Sequence, residues 1–503
     1  MNASALYTIG LGSLTLEDFA TLLAPGTQIT LAPEVQERVE TAQHYLQQRL
    51  ETADRPLYGI NTGFGALCNT VIPPEQLVQL QRNLLLSHAC GTGETVPPAV
   101  VRAMLLLKIT GLSKGHSGIS SGTLQRLMDF YNADVLPVVF ERGSLGASGD
   151  LAPLAHLALP LIGEGEVWLE GTRCAATELQ TRFGWRPLQL GPKEGLALLN
   201  GTQFMSGYVL HCLLHLQRLL NWADSIAALS LDAFRCRLEP FHELLQQVRP
   251  HPGQVAVARN IRSLLQDSPI ANRPKTQVQD PYSFRCVPQV HGAIRDAVSY
   301  AETTCLREAN CVTDNPNVFV AEDQILAGGN FHGQAIALAT DHLVLAACQL
   351  GAIAERRVYQ LQSGTRDLPP FLAVEPGVHS GFMILQYTAA GLVNEMKHLA
   401  QPQSHDSIPS CNGQEDFVSM GANVAVKLYK QLDHLQTVLA IELLHAAQAL
   451  DFRRQREDLL TAPRLQELLE IFRQQVPFAS EDRIFHYDIE KAKTFLQETA
   501  PPL

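Results

Sequence analysis

Apolar residues recur at spacings of three and four over residues 74–89, 98–112 and 122–136, the period that lines one face of an α-helix. Over residues 203–231, 331–361, 382–399 and 416–452 the pattern runs much longer, with Leu and Ala on one face and few Gly or Pro inside. Segments of that kind predict a bundle of long helices. Strand patterns are short and few. Gly- and Pro-punctuated loops fall at residues 58–65, 141–150, 273–288, 313–317 and 402–414, and they hold nearly all the unusual polar residues. The expected fold is all-α, a loop-rich N-terminal domain over residues 1–200 followed by a central and C-terminal bundle of long helices over residues 201–503.

Composition narrows the possibilities. In a chain of 503 residues, 46% are apolar and only 17% charged, which leaves more surface to bury than one globule needs and fits an oligomer. The net charge is −12 and the basic residues form no run, so nucleic acid is a poor partner. The N-terminus, MNASALYTIGLGSLTLEDF, has no basic region ahead of an apolar block. The most apolar helical stretch, residues 331–353, is interrupted by Asp341 and His342, so no membrane span is expected and the cytoplasm is the expected compartment. Ten cysteines without a C-x-x-C pair read as structural thiols, and no metal-ligand constellation is visible.

The candidate chemistry lies in GSLGASGDLAPLAH, residues 143–156. Read plainly, this is a helix-entry loop with Asp150 as N-cap. It also holds the three residue types needed to make an electrophile from backbone alone. Attack of the Gly149 amide nitrogen on the Ala147 carbonyl closes a five-membered ring, and loss of two waters, one of them from the Ser148 side chain, leaves an exocyclic methylidene. Glycine is required because a Cβ would block so tight an approach, and Gly143 and Gly146 let the flanking backbone compress.

This stretch resembles the signature of the histidine, phenylalanine and tyrosine ammonia-lyases, enzymes that carry such a methylidene-imidazolone (MIO) group. The resemblance continues through YGINTGFG at residues 58–65, RNLLLSHACGTGE at 82–94, KEGLALLNGTQ at 193–203, QDPYSFRCVPQ at 279–289, TDNP at 313–316, GGNFH at 328–332 and GQEDFVSM at 413–420, and so covers essentially the whole chain in order. It implies MIO as the only cofactor, formed from Ala147, Ser148 and Gly149, and a homotetramer whose active sites draw on several subunits. It also implies Tyr58 on a mobile loop as the base for the β-proton, Arg285 on the substrate carboxylate, and Tyr282 beside the electrophile. Asn200, Gln279 and Asn330 become amides that bind substrate or hold the electrophile, and Phe331 an aromatic wall. From the residues alone, the better reading of Tyr58 is a ring anchoring a Gly-rich loop, and Arg285 reads equally as a structural arginine. A tyrosine titrates near 10, so a base role requires a site that stabilises phenolate.

Two positions bear on the substrate ring. Within the resemblance, His88 faces the side chain in the histidine and tyrosine enzymes, and Glu415 stands where those acting on phenylalanine and tyrosine have glutamine. A carboxylate pairs with an imidazole but gains nothing from a phenyl ring. The pair favours L-histidine, converted to trans-urocanate and ammonia. Gly413 and Phe417 stand where many histidine enzymes have Asn and His. Tyrosine deamination, a 2,3-aminomutase or a lyase of modified histidine therefore remain open on the same scaffold. The non-enzymatic alternative, a structural or binding scaffold, has no use for an intact triad together with Tyr58 and Arg285.

Overall fold

The computed structural model describes residues 6–52 and 56–503. Helix dominates, with eighteen α-helices and only short strands among the described residues. The helical expectation holds to within a few residues for the long segments, which are Gln203–Ala233, Gln334–Leu361, Met383–Leu399 and Gly421–Glu457. The predicted helix over residues 122–136 stops earlier, at Asn132, and the chain then enters a short strand, Leu136–Pro137, paired with Glu166–Leu169.

The chain divides into two compact units. The first comprises Met1–Leu214, Ala301–Asp341 and Pro402–Leu428, and the second His215–Tyr300, His342–Gln401 and Tyr429–Leu503.

At the centre of the first unit lies the helix Pro98–Leu112, buried at every position from Val100 to Leu112. An apolar helix can sit in a core on all sides only if its few polar side chains find partners. Arg102 donates to the carbonyls of Tyr131 at 3.1 Å and Thr27 at 2.9 Å, and Lys108 to those of Ala197 at 3.2 Å and Asn200 at 2.9 Å. A second buried cation, Lys193, donates to Asp314 at 2.7 Å and to the Ser117 carbonyl at 2.7 Å. This pair joins the KEG and TDNP motifs, which are thus ties within the core. The interruption at Asp341 is also satisfied, since its carboxylate accepts from Lys427 at 2.9 Å and from the backbone N–H groups of Gln403 and Ser404, each at 2.8 Å. Gln334–Leu361 is apolar and long enough to cross a membrane by composition, but 67% of its most apolar window is buried inside the protein.

The second unit packs aromatic rings between helices. Trp222 is fully buried, donates its indole N–H to the Leu496 carbonyl at 2.9 Å and lies against Phe495, which also meets Phe472. Gln431 donates to the carbonyls of Val344 at 3.2 Å and Met396 at 3.4 Å, tying three helical segments together.

Removing one partner of a buried ion pair strands the other charge, at a cost of about 3–5 kcal/mol. Asp314→Ala should therefore lower the urea midpoint far more than Asp323→Ala, whose carboxylate pairs with Arg49 at the exposed surface. Equal midpoints for the two variants would contradict the role given to Asp314.

Candidate active site

The loop before helix Leu151–Ala158 is shaped by backbone contact. Gly149 takes φ +73°, and a Cβ there would lie 2.1 Å from the Gly201 carbonyl oxygen and 2.5 Å from its carbon. Gly201, at φ +126°, is equally constrained, because its own Cβ would meet Gln203 Oε1 at 2.5 Å and Thr313 Oγ1 at 2.8 Å. The two glycines form a parallel bridge, and the Asp150 N–H donates to the Gly201 carbonyl at 2.8 Å. Only glycine at both positions lets the strands approach this closely.

Asp150 does not cap its own helix, contrary to the plain reading of the loop; no side-chain cap bond forms there. Its carboxylate instead accepts the backbone N–H groups of Phe204 at 3.1 Å and Met205 at 3.0 Å, in the first turn of Gln203–Ala233, where unpaired amides and the helix dipole favour an acceptor. Its other oxygen accepts from Ser144 Oγ at 3.2 Å, and Ser144 Oγ accepts the Gly146 N–H at 3.0 Å. Complete burial pushes the Asp150 carboxyl up to about 7, against the pull of these hydrogen bonds and of Lys108. Burial likewise pushes Lys108 down to about 7, with Asp314 and Asp150 pulling it up and Lys193 adding to the fall.

Ser148 is held from two sides. Asn200 Nδ2 donates to its carbonyl at 2.7 Å, and its Oγ donates to Glu415 Oε1 at 2.9 Å. Glu415 is fixed in turn by Ser410, whose Oγ donates to Oε2 at 2.8 Å. The Asn200 side-chain oxygen is buried and unpartnered.

These residues border a cavity of about 910 Å³ in the first unit. Of the residues singled out from sequence, Tyr58, His88, Ser148, Asn200, Phe331 and Glu415 line it. His88 closes helix Leu77–His88, and its Nδ1 lies 2.8 Å from the Leu84 carbonyl. A carbonyl only accepts, so Nδ1 carries a proton, and in the neutral ring Nε2 is an acceptor. Burial lowers the His88 pKa, against the opposing effects of the Leu84 hydrogen bond and the Glu415 charge. Burial raises that of Tyr58, with a hydrogen bond from Gly65 opposing it and Cys68, Glu415 and Cys411 adding to the rise. Both rings are therefore neutral near pH 7.

Ala147 and Gly149 are in the loop behind Ser148. Asn330 is exposed and outside the cavity wall, with its amide 3.4 Å from Asn317 Oδ1. Gln279, Tyr282 and Arg285 belong to the second unit and do not line this cavity. Tyr282 is 70% exposed, with the Arg285 guanidinium 4.5 Å from its ring centroid. Sequence reasoning missed Asn83, Asn315 and Cys411 as wall residues. Asn315 was signalled by the TDNP motif and Asn83 by RNLLLSHACGTGE, but Cys411 carries no local signal. Cys411 also accepts the Ala66 N–H at 3.2 Å, joining the Tyr58 loop to the Glu415 loop. Gly413 and Phe417 are exposed beside that loop, and the Phe417 carbonyl lies 3.2 Å from His332 Nε2.

A helical scaffold that presses an Ala-Ser-Gly turn against Gly201 and brings its serine to a cavity lined by Tyr58, His88 and Glu415 has the parts of an enzyme's active site. The sequence profile of the aromatic amino acid lyases matches residues 14–474, and the chain belongs to that family. The histidine ammonia-lyase of Symbiobacterium thermophilum is 48% identical over 479 residues, covering 95% of this chain and 94% of that protein. The crystal structure of histidine ammonia-lyase from Trypanosoma cruzi superposes with a TM-score of 0.91 at 37% identity, covering 98% of this chain and 94% of that one. Ergothionase from Treponema denticola, an ergothioneine-degrading enzyme, superposes with a TM-score of 0.91 at 28% identity, covering 98% of both chains.

An unfolded aspartate titrates near 3.9. With Asp150 at about 7, the folded protein binds the extra proton between about pH 4 and 7, and stability falls as pH rises through that window. Asp150→Asn should flatten this dependence in urea unfolding followed across the same range; an unchanged slope would assign it to other groups.

Proposed function

We propose that this enzyme deaminates L-histidine non-oxidatively to trans-urocanate and ammonia, with Ala147, Ser148 and Gly149 cyclised to MIO. The observation that carries the reading is the placing of an imidazole acceptor, His88, and a carboxylate, Glu415, on the wall of the cavity that Ser148 enters. The residues fit the group: Gly149 is pressed against Gly201 where no Cβ is tolerated, and Asn200 holds the Ser148 carbonyl. Once formed, the ring supplies an electrophile for the substrate amine.

The chain's own residues do the rest. Glu415 accepts from the imidazole of the substrate and His88 Nε2 offers a second acceptor, a combination suited to a ring with two nitrogens. Phe331 closes the apolar side. Tyr58 takes the β-proton. Because burial keeps its hydroxyl protonated in the isolated chain, the base form needs a positive charge brought close to it. Arg285 is the group suited to binding the substrate carboxylate in two-point fashion and to supplying that charge. Gln279, Tyr282 and Arg285 belong to the second unit and do not line the cavity of the first, and in this reading a second copy delivers them, in a homotetramer with shared sites. Ten free thiols fit a reducing, cytoplasmic setting.

Purified protein should weigh two water molecules less than its sequence encodes and should turn over L-histidine in preference to L-tyrosine and L-phenylalanine. Tyr58→Phe should keep that mass deficit while kcat falls by roughly 10²–10⁴-fold, the usual contribution of a general base. Glu415→Gln should lower kcat/KM for L-histidine relative to L-tyrosine; equal or greater histidine turnover in that variant would remove the basis for the substrate assignment.

A further inference from the structure

In the second unit two buried ion pairs converge on one short segment. Asp280, next to Gln279, accepts from Arg366 at 3.0 Å and from the Arg237 N–H at 2.7 Å, with the carboxylate and its Arg366 partner both largely withdrawn from solvent. The Arg237 guanidinium reaches back to the Gln277 carbonyl at 2.6 Å, so the chain is fixed on its approach. Three residues beyond Asp280, the Ser283 carbonyl accepts from Arg357 at 3.3 Å. Arg357 is fully buried and is held by Glu442 through two bonds of 2.6 and 2.9 Å. Between these clamps Phe284 stacks on Phe234, with centroids 4.7 Å apart and planes 7° from parallel.

The turn so gripped, Tyr282–Arg285, is four residues long, too short for its own hydrogen bonds to hold its shape. Its backbone is locked from below while Tyr282 stays exposed. Buried charge pairs stabilise no better than well-packed apolar residues would, so what they add here is geometry. We propose that Asp280 and Arg357 are positioning residues that fix the placing of Tyr282 and Arg285, an inference that rests on the reading that those two side chains act on the substrate. Loosening either clamp lets the guanidinium wander from the carboxylate it is meant to hold, while the Ala147–Gly149 loop, part of the first unit, still cyclises.

Asp280→Asn keeps the shape and one acceptor but removes the charge. It should raise KM for L-histidine at least tenfold, keep the two-water mass deficit, and speed amide hydrogen exchange at Phe284, Arg285 and Cys286 at least tenfold. Arg366→Met should behave likewise, and Arg366→Lys, which retains a cation for Asp280, should recover most of the lost affinity. A folded Asp280→Asn protein with wild-type KM and wild-type exchange in this turn would overturn the proposal, as would lower kcat at unchanged KM and exchange. Wild-type protein inert toward L-histidine would sink the functional reading instead, and the exchange measurement would still decide whether the clamp exists.

Discussion

The site is organised around a place where no side chain fits. The backbone of residue 149 lies against the carbonyl of residue 201, and everything nearby serves to keep it there. Asp150 anchors the loop to the first turn of Gln203–Ala233, Lys108 holds the carbonyls of Ala197 and Asn200 from within a buried helix, and Asn200 returns a hydrogen bond to Ser148. A turn held this tightly by rigid elements can store the compression that a backbone cyclisation requires, since the surrounding packing over-determines it.

Electrostatics divide the first unit into two kinds of place. In the core, charges are matched or shared among carbonyls, as with Lys193 and Asp314 or with Lys108. In the cavity, the titratable rings of Tyr58 and His88 are both driven by burial toward their neutral forms. A neutral tyrosine and a neutral imidazole bind a polar substrate well but do not remove a weakly acidic proton, so the base role proposed for Tyr58 requires a positive charge close to it.

Much of this was legible in the order of residues. Helical periodicity gave the long helices because burial of one face repeats every 3.6 residues whatever the partner is. The Ala-Ser-Gly triad was legible because its chemistry needs particular residue types, and type is what a sequence records; Tyr58, His88 and Glu415 were singled out through the family resemblance. Asp150 was visible as a capping residue, yet the helix it serves begins more than fifty positions later, and only a folded chain shows which amides are left without partners.

What the sequence by itself determined is the helical architecture, which follows from local periodicity, the residue types available for catalysis, which are its chemical identity, and the family, which rests on the resemblance of its motifs in order along the chain. Tertiary structure alone decided that Gly201 is the surface against which Gly149 is pressed, that Cys411 joins two loops of the cavity, and that Arg357 reaches the Ser283 carbonyl from a distant helix. Those contacts join residues far apart in the chain, and they exist only where packing has brought backbone and side chain within a few ångströms of each other.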